Sequence, residues 1–347
     1  MACLINFVRR ITINYLYSLC YWNFKMVIDK SNMKQILTDF PKQCREALAL
    51  AKGIKAADFN KIVVCGMGGS AIGGSILKAF LAEAGLPVYV IRDYDISENI
   101  DKKTLVFAIS YSGNTEETLS ALTKAKNKGA KTIAITSGGK LIDLADTIIK
   151  VPAGLQPRNA IAYLFFPIIG VLYNSGIVDV KNKDLNEMIK IISDTEYFDE
   201  KGRELAKKIK DKTPVIYSSA RMEPCAYRFK SEINENAKHP AFHNVFPELC
   251  HNELEGYSSM ERSGFIVIMI RDSGDHERIK KKMDICKSLF EHTVDVEEIT
   301  TMGNSLLARM FSAIYIGDWT SYHLALWKRQ DPTPVHIIEN LKKSLKE

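Results

Sequence analysis

The chain has 347 residues, 46% of them hydrophobic and 25% charged, with a net charge of +6 spread along its length. That balance describes a globular protein of about two ordinary domains and excludes a disordered chain. No basic block is interleaved with aromatics, so the surplus charge points to anionic small molecules and not to nucleic acid.

Residues 1–25, MACLINFVRRITINYLYSLCYWNFK, stand apart as an aromatic, apolar extension whose uncharged run, 11–24, is short for a membrane span. We expect Met26 to be the working start and no membrane partner. Residues 31–55 follow with a helical pattern interrupted by Pro41. Strand 61–65 then leads through the loop Gly66-Met67-Gly68-Gly69-Ser70 into a helix over 71–84. Further strands are predicted at 87–92, 105–109, 132–136 and 147–151, alternating with helical segments. Strands separated by helices give a parallel sheet covered on both faces, with ligands outside the carboxyl ends of its strands. The apolar stretch 161–178, interrupted at Pro167, reads as a buried or dimer-facing helix, and the polar stretch 181–212 as a bridge. A second unit repeats the plan, with strands at 214–217, 265–270 and 293–299 and helices after the first two. The expected organisation is an extension over 1–25, a first α/β domain over 26–180 and a second over 181–347, each doubly wound.

The seven cysteines are odd in number, irregularly spaced and without a CxxC pair. They argue against a disulfide framework or a structural zinc and suit a reducing cytoplasm.

The loop after strand 105–109 carries most chemistry. SYSGNT (110–115) is crowded with hydroxyls and opens a helix, with Asn114 expected as N-cap and Glu117 completing a capping box. Unpaired N–H groups and a helix dipole at one spot make an anion seat, which Ser110, Ser112, Thr115 and, from the neighbouring loop, Ser70 would complete for phosphate. Walker spacing and its lysine are missing, so a phosphate monoester suits the seat better than a nucleoside triphosphate. Loops of the second unit carry acids where the first carries Ser and Thr, so only the first should hold phosphate.

Four motifs in order, GMGGSAIGG (66–74), ISYSGNTEETL (109–119), QPRNA (156–160) and NENAKHPAF…FPELCHNELEGY (234–257), resemble the bifunctional phosphoglucose/phosphomannose isomerase family. The resemblance runs from about residue 45 to the C terminus. It implies two sugar-isomerase (SIS) domains, and a cofactor-free, metal-free dimer that interconverts glucose 6-phosphate and mannose 6-phosphate with fructose 6-phosphate. Such chemistry needs a phosphate seat, an acid/base for ring opening, a carboxylate for the carbon proton and a cation beside the enediolate.

By the same resemblance Gly69, Ser70, Ser110, Ser112 and Thr115 bind the phosphosugar, and Arg158 stabilises the enediolate. Glu235 is the carbon base, and His251 opens the ring from across a dimer interface. Composition alone leaves Glu232 as good a carboxylate as Glu235, and His239 and His243 as rivals of His251. In DPTP (331–334) and the helix predicted over 335–345, Thr333 and Lys342 are the counterparts of a specificity residue and a lysine that close the sugar site, with Lys343 adjoining. Two readings compete: an isomerase restricted to one epimer or to an aminosugar, and a non-catalytic sugar-phosphate sensor, which has no use for Glu235 and His251.

Overall fold

The computed structural model describes residues 28–97, 99–178, 182–259 and 264–345. The extension 1–25 and the junction expected at residue 180 lie outside them. Two short helices, α1 (Met33–Thr38) and α2 (Phe40–Ala49), divide at Asp39 just ahead of Pro41.

A first α/β unit follows in chain order: β1 (Lys61–Cys65), α3 (Gly69–Phe80), β2 (Val88–Ile91), β3 (Thr104–Ile109), α4 (Glu116–Asn127), β4 (Lys131–Thr136) and β5 (Thr147–Lys150). Its sheet is parallel throughout, in the order β2-β1-β3-β4-β5. Every residue of β3 is buried, as a central strand covered on both faces requires. Alternation along β1 divides the cores: Ile62 and Val64 face the main core, whereas Val63 and Cys65 face the cluster of Val106, Ala121 and Ala125 under α4.

Helix α5 (Ile161–Asn174) is buried from Ile161 to Leu172. Its own chain covers those residues, as the buried reading expects, while Tyr173 and Ile177 at the end of the stretch stay exposed. The stretch read as a polar bridge is helical instead, as α6 (Asn182–Ile192) and α7 (Thr195–Ile209). Both are amphipathic, with Met188, Ile192, Phe198, Leu205 and Ile209 turned to the core. Their high charge belongs to the solvent face, which is why composition alone misread them.

The second unit contains β6 (Thr213–Ser219), α8 (Glu223–Asn236), β7 (Phe242–Phe246), β8 (Phe265–Arg271), α9 (Glu277–Phe290) and β9 (Asp295–Thr300), with a parallel sheet in the order β7-β6-β8-β9. Strand β7 was not expected; it is an edge strand, pairing Val215 with Phe242 through Ser219 with Phe246.

Helix α10 (Leu306–Trp327) was likewise missed. It is buried on all sides from Leu307 to Leu326, so no apolar stripe marks it. Phe311, Tyr315 and Trp319 of α10 lie in one core with Ile62, Phe107, Ile216 and Ile268, which joins the inner faces of both sheets. The chain ends with α11 (His336–Ser344), none of whose residues is buried. Among the described residues no helix is long and apolar enough to cross a membrane.

Candidate active site

In the first sheet, β1 and β3 are neighbours whose connections leave in opposite directions along the sheet. Loops at such a switch point diverge and leave a crevice at the carboxyl edge. Both glycine- and hydroxyl-rich loops end there. Ser110 is buried, and its Oγ lies 2.8 Å from Thr115 Oγ1 and accepts from the Thr115 amide at 3.4 Å. Ser112 is exposed, its Oγ accepting from the Asn114 amide at 3.3 Å. Thr115, not Asn114, is the N-cap of α4. The Asn114 side chain instead accepts from the Lys140 amide and donates to the Ser112 carbonyl, tying the loop to the one after β4. Gly113 has φ +70°, and a Cβ there would lie 1.7 Å from the Gly138 carbonyl oxygen, so no other residue fits this loop.

Ser70 is buried on the first turn of α3. Gly69 before it packs so closely that a Cβ would meet Arg158 Cα at 3.0 Å. The loop after β1 is thereby pressed against the turn after β5, and Arg158 is brought to the crevice.

Arg158 is 3% exposed, and each of its three nitrogens has a partner. Its Nε donates to Asn236 Oδ1 at 2.7 Å, and its Nη2 to the carbonyls of Pro332 at 2.9 Å and Thr333 at 2.7 Å. Its Nη1 stands 3.5 Å from Glu235 Oε2. The two carboxylates of α8 separate here. Glu232 is 2% exposed and pairs with Arg228 at 2.9 Å, while Arg228 holds Asp318 of α10 at 3.0 Å and donates to the Arg158 carbonyl at 3.1 Å. Glu232 is therefore part of the support beneath Arg158. Glu235, whose side chain is 28% exposed, is the one that reaches solvent beside Arg158.

Burial and the neighbouring Glu232 charge raise the Glu235 pKa above the ordinary glutamate value, against the pull of Arg158, Arg228 and Lys342. Lys342 thus acts on Glu235 from the exposed helix α11. Thr333 reaches the site through its carbonyl, and its Oγ1 is buried without a hydrogen-bond partner. The supporting residues Asn236, Arg228 and Asp318 were not singled out from sequence. Asn236 sits inside the NENAK motif, which was the available signal; Asp318 lies in the unrecognised α10.

His251 is not beside these groups within one chain. Helix α8, of 14 residues and about 21 Å, runs from the carboxyl edge of the second sheet back toward its amino edge, ending at Glu235 and Asn236. Strand β7 then returns to the carboxyl edge, where the 3-10 segment Glu248–His251 leaves His251 exposed. The rivals are occupied elsewhere: His239 Nε2 lies 2.8 Å from the Lys212 carbonyl, and His243 on β7 packs edge-on against Tyr227. Burial lowers the pKa of both rings. Among the described residues no group of three or more His, Cys, Asp or Glu side chains is placed to hold a metal ion.

Two family models match: a SIS domain over residues 56–167 and a bacterial phospho-glucose isomerase C-terminal SIS domain over residues 198–345. The bifunctional phosphoglucose/phosphomannose isomerase of Caldicellulosiruptor bescii is 44% identical over 336 residues, covering 91% of this chain and 99% of that protein. A D-glucosamine-6-phosphate 4-epimerase of Sulfolobus acidocaldarius is 40% identical over 223 residues, covering 63% and 70%. In structure, the C-terminal domain of a glucosamine-fructose-6-phosphate aminotransferase from Francisella tularensis superposes with a TM-score of 0.69 over 87% of this chain and 98% of that one, at 16% identity. At that identity the likeness concerns the fold.

Proposed function

The chain belongs to the bifunctional phosphoglucose/phosphomannose isomerase family, and from that premise we propose that it interconverts glucose 6-phosphate and mannose 6-phosphate with fructose 6-phosphate. The observation that carries this reading is the Glu235 carboxylate, kept 3.5 Å from a buried guanidinium and reaching solvent beside it. A sensor would need the phosphate-type loop but not the carboxylate.

In the proposed reaction, Ser110, Ser112 and Thr115, with Gly69 and Ser70, hold the phosphate group. His251 of a second copy protonates the ring oxygen as the C1–O5 bond breaks, and the imidazole so freed takes the C1 hydroxyl proton as the aldehyde forms. Glu235 takes the proton from C2 and delivers it to C1, while the C1 carbonyl oxygen gains a proton and the C2 hydroxyl loses one. Negative charge that builds on those oxygens in the enediolate is stabilised by Arg158. Both C2 epimers converge on the same enediolate, and Thr333 leaves room for either hydroxyl orientation. No metal or cofactor enters these steps. A homodimer is part of the proposal, because Glu235 and His251 of one chain stand at opposite edges of the second sheet. A reducing cytoplasmic setting is also part of it, consistent with free Cys44, Cys65, Cys225, Cys250 and Cys286.

The test is formation of fructose 6-phosphate from each hexose phosphate in the presence of a chelator. Turnover of both, unaffected by chelation, is expected. Turnover of one hexose alone would reduce the reading to a single-specificity isomerase, and chelator-sensitive turnover would reject the metal-free mechanism. The epimerase relative favours one extension of the assay, to glucosamine 6-phosphate.

A further inference from the structure

Three successive carbonyls of the C-terminal segment are each held by a cation. The Asp331 carbonyl accepts from Lys238 Nζ at 2.5 Å, and those of Pro332 and Thr333 accept from Arg158 Nη2 at 2.9 and 2.7 Å. Lys238 also donates to the Asn236 carbonyl at 3.1 Å, closing off the last turn of α8. Its backbone has φ +50°, the left-handed conformation with which a helix commonly ends at the residue after its C-cap. Fixing three carbonyls in a row leaves the planar peptide units between them little freedom to turn. The segment so fixed carries Thr333 and leads directly into α11 with Lys342, while α11 itself buries no residue that could anchor it.

We propose that Lys238 is a positioning residue, the second arm of a two-cation clamp that fastens segment 331–333 to the end of α8 and so sets Thr333 and Lys342 beside Glu235. The proposal deepens the isomerase reading and rests on it for its kinetic consequences. Arg158 cannot do this alone, because its Nη2 reaches only the second and third carbonyls and its other nitrogens face Asn236 and Glu235.

The clamp is also sensitive to pH. Three charged groups face the Lys238 ammonium: Arg158 from the turn after β5, Asp331 from the clamped segment and Glu235 from the last turn of α8. Burial of the charged end, reinforced by Arg158 and opposed by the two carboxylates, brings its pKa down to about 8. As pH rises through that value the ammonium becomes a neutral amine, the charge-assisted bond to Asp331 weakens and the segment loosens. An arginine in its place stays charged throughout.

The test compares K238M and K238R with the wild-type protein by two readouts. Hydrogen–deuterium exchange of the peptides covering residues 331–345 reports the clamp without reference to activity; the exchange should be about tenfold faster in K238M and near wild type in K238R. In the isomerase assay, K238M should raise KM about tenfold with kcat changed less than about threefold. Wild-type KM should climb as pH passes 8, and that climb should be absent in K238R. Unchanged exchange in K238M, or an alkaline climb that persists in K238R, would overturn the proposal. Should K238M fail to fold, the K238R pH profile decides. Should the wild type turn over no hexose phosphate, the isomerase reading fails and the exchange comparison alone decides on the clamp.

Discussion

The two sheets share a plan, but their switch points have opposite character. Between β1 and β3 the loops present hydroxyls and amides, with a positive-φ glycine to shape the turn and an arginine close by. Between β6 and β8 the corresponding loop carries Asp272 and Asp275, and the crevice is filled by the protein itself. Arg309, projecting from α10, donates to Asp272 Oδ1 at 2.7 Å, and Thr301 donates to the same oxygen at 2.8 Å. The Arg309 guanidinium presses so close that a Cβ on Gly274 would lie 2.5 Å from its Nη2. Burial and the nearby Asp272 hold the Asp275 pKa above the ordinary aspartate value. A duplicated scaffold thus carries hydroxyls and amides at one switch point and a buried, arginine-paired acidic cluster at the other. On this contrast the first switch point alone is the proposed phosphate seat.

The contrast can be broken most severely at Glu235, the carboxylate proposed to serve the first site. Glu235→Gln should lower kcat by about a thousandfold or more while leaving phosphosugar affinity within about threefold, as loss of a general base requires. Steady-state kinetics with a parallel binding titration would show this; retained turnover would remove Glu235 from the mechanism.

At the second switch point the cost should fall on folding. Arg309→Met strands the buried Asp272 carboxylate, and denaturant unfolding should show a loss of about 3–5 kcal/mol. The phosphosugar affinity of the folded fraction should be unchanged. Thr115→Ala, by contrast, should raise KM about tenfold with little loss of stability, whereas Ser219→Ala at the second switch point should leave KM alone. Equal effects from the two variants would erase the distinction between the crevices.

The smallest effect concerns pH. Because burial and Glu232 raise the Glu235 pKa, the proton needed to silence the base binds more readily than to an ordinary glutamate. The acid limb of kcat/KM should therefore lie above the usual glutamate value, and Glu232→Gln should move it lower. A limb at the ordinary value would show Glu235 to be better solvated than the fold implies.

Much of the geometry of the candidate phosphate loop was legible because its constraints are local. A glycine turn, a run of hydroxyls and a helix start lie within a few residues, and each has a single-residue signature. Even there the cap moved by one residue, since Asn114 serves the loop after β4, a long-range use that local spacing does not reveal. The choice between Glu232 and Glu235 could not be made from periodicity, because what separates them is Arg228 and Asp318, brought together from α8 and α10. Helix α10 itself escaped notice because burial on every side removes the polar face that betrays a helix. Lys238 was hidden for a similar reason, its partner carbonyl lying 93 residues further along the chain.

Calorimetric titration with a non-isomerisable hexitol 6-phosphate tests most directly whether one switch point alone holds phosphate. One molecule per chain is expected, with affinity weakened by Thr115→Ala and untouched by Ser219→Ala. Two molecules per chain, or affinity lost through the second switch point, would contradict it.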